Sequence, residues 1–353
     1  MFKFNFDIED DGNDVTTAET AVTTPVAQSE PFLDALPPLI SYSPLAISLS
    51  SARRNVTLAR RDLFDARFQL ISEGRCDEPP PETSKPASAL GFLDAPSDLV
   101  PGVYEGGLKT WECSLDLVDH LDGLKDTHSL QVGGKCVLEI GCGTGVPSVY
   151  LLHQLFSEEN TIDSETYVHF QDYNASVLEL ITFPNIILAW YMSPSSAEYR
   201  ASVSNSPESE LPNADPTVPG ELPITSSLKS AFTASLVQRR INLAFFSGSW
   251  ESLTAHLGVA AKKYDVVLTS ETIYRAEALP ALINLMRVAC AESRYVCLVA
   301  AKILYFGVGG GVSEFVRALQ SKEMREGGCS GNVETVWERS VGVGRKIMKI
   351  EWV

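Results

Sequence analysis

The chain has 353 residues, with 28 Lys and Arg against 45 Asp and Glu, a formal charge of −17. That balance excludes a simple nucleic-acid binder, which needs a basic face to release counterions from phosphates, and favours a basic protein as partner. Hydrophobic residues at 44% and charged residues at 21% are the proportions of a folded chain, and the length suggests about two domains. Seven cysteines (76, 113, 136, 142, 290, 297, 329) form no C-x-x-C pair and only five histidines are present, so reduced thiols and no metal site are expected. The N-terminal MFKFNFDIEDD lacks an apolar segment of signal length, and no run approaches the roughly 20 apolar residues of a membrane span. A monomeric protein of the cytoplasm and nucleus, away from membranes, is the expectation.

Residues 1–36 read as an acidic, mostly disordered tail. Asp7, Glu9, Asp10, Asp11, Asp14, Glu19 and Glu30 are set against Lys3 alone, too little apolar surface to offset ordering entropy. Phe2, Phe4, Phe6 and Ile8 nevertheless alternate with polar residues, so an added edge strand or docking segment stays open there. Residues 37–76 read as a helical extension, with Leu63, Phe64, Phe68, Leu70 and Ile71 on an apolar stripe within a helix over 56–73 that stops at Gly74. The Pro-rich stretch that follows makes 77–99 a linker.

From residue 100 to 353 strand and helix patterns alternate. Strands are expected at 135–140, 166–171, 241–247, 264–269 and 294–301, with helices at 146–156, 174–182, 251–262, 277–291 and 312–322. Short apolar runs joined by amphipathic helices imply an α/β fold with a doubly wound, mostly parallel sheet, and the strand-like pieces 333–338 and 345–352 imply a closing antiparallel hairpin. Residues 193–230 interrupt the pattern with ten Ser and six Pro and read as a disordered surface insertion.

The segment with most chemical content is Val137-Leu138-Glu139-Ile140-Gly141-Cys142-Gly143-Thr144-Gly145, a strand running into a glycine turn and then a helix with Pro147 in its first turn. A dinucleotide fingerprint would place a glycine at 146, which is Val146. Glu-x-Gly-x-Gly-x-Gly instead resembles the first motif of Rossmann-like methyltransferases that use S-adenosylmethionine. On that reading Glu139, Gly141 and Gly143 belong to the cofactor site. The second strand ends in Asp172, with Tyr173 and Asn174 beside it, and Asp172 is the candidate to hold the ribose hydroxyls; its plain alternative is a helix N-cap. The third ends in Gly248, Ser249 and Trp250, where the indole can wall an adenine or simply fill the core. The fourth ends in Ser270, Glu271 and Tyr274, which point toward the transferring methyl unless they only cap the next helix.

Taken together, Phe2–Phe6, Arg61–Asp65, the PGVYEGGLKTWEC stretch at 101–113, the motif at 137–145, Gln171–Asn174, Leu268–Tyr274 and the segment from Lys302 through Gly311 resemble the histidine protein methyltransferases that modify a large-subunit ribosomal protein. The resemblance implies a seven-stranded methyltransferase fold, S-adenosylmethionine as cofactor and a basic ribosomal protein as substrate. It further implies that Trp111, Glu112, Cys113 and Ser114 line the cofactor pocket from the segment before the first strand, that Ser270 closes it, and that Glu271 and Tyr274 act at the reacting end. A lysine methyltransferase of the same fold, and a non-catalytic S-adenosylmethionine-binding chaperone of a ribosomal protein, remain alternatives. The glycine-dense 307–311 run reads as a flexible or closely packed substrate loop.

Overall fold

A computed structural model describes residues 26–27, 29–50, 54–72, 99–100, 104–158, 163–204, 211–260, 262–305, 309–328 and 330–353. Five short apolar runs, each followed by a helix, lie side by side and parallel: β6 (Cys136–Ile140), β7 (Thr166–Asp172), β9 (Ile241–Ser247), β10 (Val266–Ser270) and β11 (Val296–Lys302). A hairpin of β12 (Gly331–Arg339) and β13 (Arg345–Trp352) completes the seven strands, with β13 antiparallel to β11. The order across the sheet is β9-β7-β6-β10-β11-β13-β12, the doubly wound arrangement with its closing hairpin. A two-residue strand β1 (Val26–Ala27) pairs antiparallel with the β9 edge, and two further short strands, β4 (Leu99–Val100) and β5 (Tyr104–Glu105), pair with each other ahead of β6 in the chain. Sequence order reverses on either side of β6, so the carboxyl ends of β6 and β10 open onto the crevice where such sheets bind ligands.

Both faces of the sheet are covered. On one lie α3 (Glu112–Asp126), α4 (Val146–Ser157), α5 (Phe183–Tyr191) and α7 (Ser226–Gln238), whose Leu117, Leu121, Val149, Leu152, Ile186, Trp190 and Phe232 are buried with Val137, Val168, Phe170 and Phe245. On the other lie α8 (Trp250–Ala260), α9 (Leu279–Ala289) and α10 (Val312–Leu319), packed on Leu138, Ile140, Val267 and Val299. Among the described residues no single helix is long and apolar enough to cross a membrane.

The structure corrects the sequence reading in three places. The 1–36 tail is ordered at its end, where α1 (Ser29–Ala35) buries Leu33 and sets the Phe32 ring 4.5 Å from that of Phe245; Phe2–Ile8 lie outside the described residues. The 37–76 extension is not wholly helical. It begins with a hairpin of β2 (Leu39–Leu49) and β3 (Arg54–Arg61), and α2 (Leu63–Ser72) follows. Most of the expected linker at 77–99 also lies outside the described residues. In its described residues, 193–204 and 211–230, the 193–230 segment is not a disordered insertion: it holds α6 (Ala197–Ser204), β8 (Gly220–Pro223), which pairs with β2, and the start of α7. Its order has a clear source. Thr225 Oγ1 accepts the Leu228 N–H at 3.1 Å, capping α7, and Leu228, Phe232 and Leu236 recur every fourth residue on a buried face. The helix expected at 174–182 runs on through a π-turn (Leu178–Thr182) into α5; Pro184 lies within this continuous helix, and the Leu180 carbonyl, which its missing N–H cannot bond, accepts Arg61 Nη1 at 2.7 Å instead.

Candidate functional site

The glycine turn after β6 is left-handed at three positions, Gly141 (φ 59°), Gly143 (φ 52°) and Gly145 (φ 67°). Two of them also need the space. A Cβ on Gly141 would lie 2.5 Å from the Thr272 methyl, and one on Gly143 would lie 3.2 Å from the Gly107 backbone. Surrounding side chains fix the turn's shape: Asp172 Oδ2 accepts the Gly143 N–H at 2.9 Å, Thr182 Oγ1 donates to the Gly143 carbonyl at 2.6 Å, and Asn185 Nδ2 donates to the Thr144 carbonyl at 2.9 Å.

Gln171, fully buried at the end of β7, clasps the neighbouring strand ends. Its Oε1 accepts the Gly141 N–H at 3.0 Å and the Trp250 Nε1–H at 3.2 Å, and its Nε2 donates to the Gly248 carbonyl at 2.9 Å. The ends of β6, β7 and β9 are therefore locked in register, with the Trp250 indole held by its polar edge. Asp172 Oδ1 accepts the Asn174 N–H at 3.0 Å, and Asn174 Nδ2 in turn holds the Gly106 carbonyl at 3.0 Å. The 106–107 strand of chain thus closes over the glycine turn.

At the end of β10, Glu271 adopts a left-handed backbone (φ 60°), rare for a residue with a side chain. Its Oε1 accepts the Cys113 N–H at 3.4 Å and lies 3.6 Å from Lys302 Nζ. Lys302 Nζ also lies 3.5 Å from Glu112 Oε2 and 4.6 Å from the centroid of the Trp111 ring. Burial pulls the Glu112 carboxyl upward, but its own backbone N–H and Lys302 outweigh this and leave it below the ordinary range. Burial and the nearby Glu271 carboxylate hold the Tyr305 hydroxyl protonated well above the usual tyrosine range, and its ring stands edge-on to Tyr274 at 6.3 Å. Gly310 packs so tightly that a Cβ there would meet the Tyr274 carbonyl oxygen at 2.2 Å, so this part of the glycine run is closely packed rather than loose.

These ends surround one cleft of about 500 Å³. Of the residues expected from sequence, Trp111, Ser114, Gly141, Gly143, Asp172, Tyr173, Gly248, Ser249, Trp250, Ser270, Glu271 and Tyr274 all line it. Glu112, Cys113, Glu139 and Asn174 do not. Glu139 points away beneath the turn, where its Oε2 accepts the Ser148 N–H at the start of α4 at 2.9 Å; burial raises its carboxyl to about 7. Cys113 meets the site through its backbone N–H and its buried thiol, both of which bond Glu271, Asn174 supports the wall from behind, and Glu112 meets the site through Lys302.

The chain is 34% identical to histidine protein methyltransferase 1 of Saccharomyces cerevisiae over 272 residues, 75% of this chain and 69% of that protein. It is 32% identical to histidine protein methyltransferase 1 of Schizosaccharomyces pombe over 291 residues, 81% of this chain and 76% of that protein. The chain belongs to the histidine protein methyltransferase family. Similarity to the Bos taurus homolog of histidine protein methyltransferase 1 covers 65% of this chain and 52% of that protein at 32% identity. No family model matches the chain. A solved magnesium protoporphyrin IX methyltransferase from Synechocystis PCC 6803 is 11% identical with a TM-score of 0.35, over 67% of this chain and 81% of that one, a likeness too distant to bear on the site.

In this member of the histidine protein methyltransferase family, the cleft also takes in Gly107, Lys109, Thr272, Arg275, Lys302 and Tyr305. Sequence reading gave none of these a named role, although Gly107 and Lys109 fall in the 101–113 stretch, Thr272 in 268–274, and Lys302 and Tyr305 in 302–311, all segments that carried the resemblance. Long-range pairing brings them in: Lys302 ends β11, and β11 runs beside β10 with Ala300 opposite Ser270.

Proposed function

We propose that this protein transfers a methyl group from S-adenosylmethionine to one imidazole nitrogen of a histidine in a basic protein, a large-subunit ribosomal protein, acting as a monomer in the cytoplasm and nucleus. The observation that carries this reading is the convergence of four parallel strand ends on one cleft that holds both a glycine cradle and an acidic, aromatic end. The cradle suits the cofactor. Gly141 and Gly143 leave the room a side chain would fill, Asp172 presents its carboxylate between the turn and Tyr173, and the Trp250 indole gives the flat wall an adenine needs. When bound, that cofactor supplies an electrophilic methyl on a sulfonium.

The rest falls to the protein's own groups. A histidine with an ordinary pKa near 6.5 is mostly neutral at pH 7, so one ring nitrogen offers a lone pair without prior deprotonation. Glu271, with Tyr274 beside it in the cleft, accepts a hydrogen bond from the other ring N–H and so selects which nitrogen faces the methyl. The ring that receives the methyl would become cationic, the bonding pair of the broken S–C bond staying with the cofactor's sulfur. Glu271 stabilises that charge and takes the N–H proton before it passes to water. Fixed alignment of the two reactants accounts for several kcal/mol of the barrier reduction. The net charge of −17 favours encounter with a basic target.

The test supplies the protein with methyl-labelled S-adenosylmethionine and extracted large-subunit ribosomal proteins, then hydrolyses the products. Labelled methylhistidine is expected. Methyllysine alone, or no incorporation, overturns the reading.

A further inference from the structure

A lone carboxylate at the end of a methyl-transfer cleft would be best matched by a cation, and lysine ammonium is the commonest cationic side chain. In this cleft that place is taken. The Lys302 side chain is 17% exposed, and its Nζ sits 3.6 Å from Glu271 Oε1 and 3.5 Å from Glu112 Oε2, with the Trp111 ring 4.6 Å away on another side. Glu271 has a further restraint, the Cys113 N–H on Oε1. The carboxylate is therefore presented to the cleft as one half of an ion pair, and an incoming ammonium would meet another ammonium within a few ångströms.

We propose that Lys302 is a specificity-determining residue, admitting a neutral imidazole and turning away a cationic lysine side chain at the methyl-receiving end of the cleft. The inference rests on the reading of histidine as the target and adds to it the ground of the choice, which is charge. At neutral pH an imidazole is mostly uncharged and a lysine amine almost wholly protonated, so a fixed positive charge separates the two before any difference of shape counts. Like-charge repulsion in a partly buried site is weakly screened by solvent, which makes one lysine sufficient. A neutral ring N–H brings no charge against Lys302 and can share the Glu271 carboxylate, which lines the cleft while Lys302 Nζ, the Cys113 N–H and the Tyr305 hydroxyl also engage it.

The experiment uses the full chain, Lys302→Met and Lys302→Arg, each incubated with labelled S-adenosylmethionine and extracted large-subunit ribosomal proteins. The ratio of methylhistidine to methyllysine is expected to fall at least tenfold in Lys302→Met and to return in Lys302→Arg. An unchanged ratio in Lys302→Met overturns the assignment of Lys302 while leaving histidine methylation intact. No methylhistidine from the natural sequence overturns the reaction and this inference together. Should Lys302→Met transfer nothing, its complex with S-adenosylhomocysteine is titrated with n-butylammonium. Binding at least tenfold tighter than to the natural protein supports the inference, and equal binding overturns it.

Discussion

Asp172 Oδ2 accepts the Gly143 N–H at 2.9 Å, so the carboxylate that closes β7 also sets the turn that follows β6. Its other oxygen holds the Asn174 N–H, and the two bonds aim the carboxylate edge along the wall of the cleft. Replacing Asp172 with Ala removes the acceptor for the turn and the partner for a ribose together. Binding of S-adenosylhomocysteine is expected to weaken by roughly 100-fold, about 2.7 kcal/mol, as for the loss of charge-assisted bonds. Asp172→Asn, which keeps one acceptor, is expected to lose about 10-fold. Calorimetry with the two variants checks the order, and equal affinities would remove Asp172 from the binding site.

The N-terminal hairpin reaches the same turn from the other side. Asn185 Oδ1 accepts the Arg61 N–H at 2.8 Å, and Asn185 Nδ2 donates to the Thr144 carbonyl at 2.9 Å, with the residue only 2% exposed. Asn185→Leu leaves a buried N–H and a buried carbonyl unpaired, which costs about 2–5 kcal/mol. A lower urea midpoint at an unchanged slope is the expected result, accompanied by weaker S-adenosylhomocysteine binding. A lower midpoint with intact binding would show that the hairpin stabilises the fold without shaping the turn.

What could be read in advance divides along the same lines. The strands 136–140, 166–172 and 241–247 and the helix from 146 stand out because their apolar residues recur at the period of the element they form, with Gly141 and Pro147 punctuating the change. The β2–β3 hairpin did not, because Pro44 within β2 and arginines at 54, 60 and 61 mask the alternation; the Arg61 side chain is fully buried against Asp65 and the Leu180 carbonyl. Serine and proline composition outweighed the four-residue spacing of Leu228, Phe232 and Leu236 at 193–230, although local capping and that spacing decide the structure. At the site, residues on the strand ends were legible from their position after each apolar run. The Gln171 clasp and the Lys302 pairing were not, since both depend on which strands become neighbours.

Glu139 gives the fold a dependence on pH. Burial raises its carboxyl from the usual 4.5 to about 7, and Oε1 has no hydrogen-bond partner among the described residues. Between those two values the folded state binds more protons than the unfolded one, so Glu139 makes stability fall as pH rises through that window, and the penalty is fully present above it. Glu139→Gln is expected to melt near the natural protein at pH 5 and to be more stable by about 1–3 kcal/mol at pH 8. Thermal unfolding at the two pH values checks it. A variant less stable at pH 8 would show that the ionised carboxylate is needed at the start of α4.

Gly310 ties the loop after β11 to the reacting end. A Cβ there would fall 2.2 Å from the Tyr274 carbonyl oxygen and 2.6 Å from that of Ile273, both backbone atoms with little freedom to yield. Gly310→Ala is expected to displace the 271–274 segment and reduce turnover by about 10-fold or more, since small misplacements of reacting groups are costly. Affinity for S-adenosylhomocysteine should change much less, because the glycine turn and Asp172 are untouched. Parallel measurement of turnover and binding separates the two effects.

Glu271 is where the backbone and the proposed chemistry meet. A residue with a side chain at φ 60° persists only when its surroundings fix it, and here the Cys113 N–H and Lys302 Nζ hold the carboxylate in a side chain that is 10% exposed. Glu271→Gln preserves size and an oxygen for the Cys113 N–H but removes the charge that would stabilise a developing imidazolium. Single-turnover methyl transfer is expected to slow by roughly 10²-fold, the low end of what a positioned base contributes. The affinity for S-adenosylhomocysteine, in contrast, should stay within about threefold, because none of the cradle's hydrogen bonds runs through this residue. The variant's pH profile carries the same information: neutral imidazole is still required, so activity should continue to rise through the histidine pKa near 6.5 from a lower plateau. A large loss of cofactor affinity with little change in the transfer step would instead make Glu271 part of the nucleoside pocket and leave the orientation of the imidazole to Tyr274.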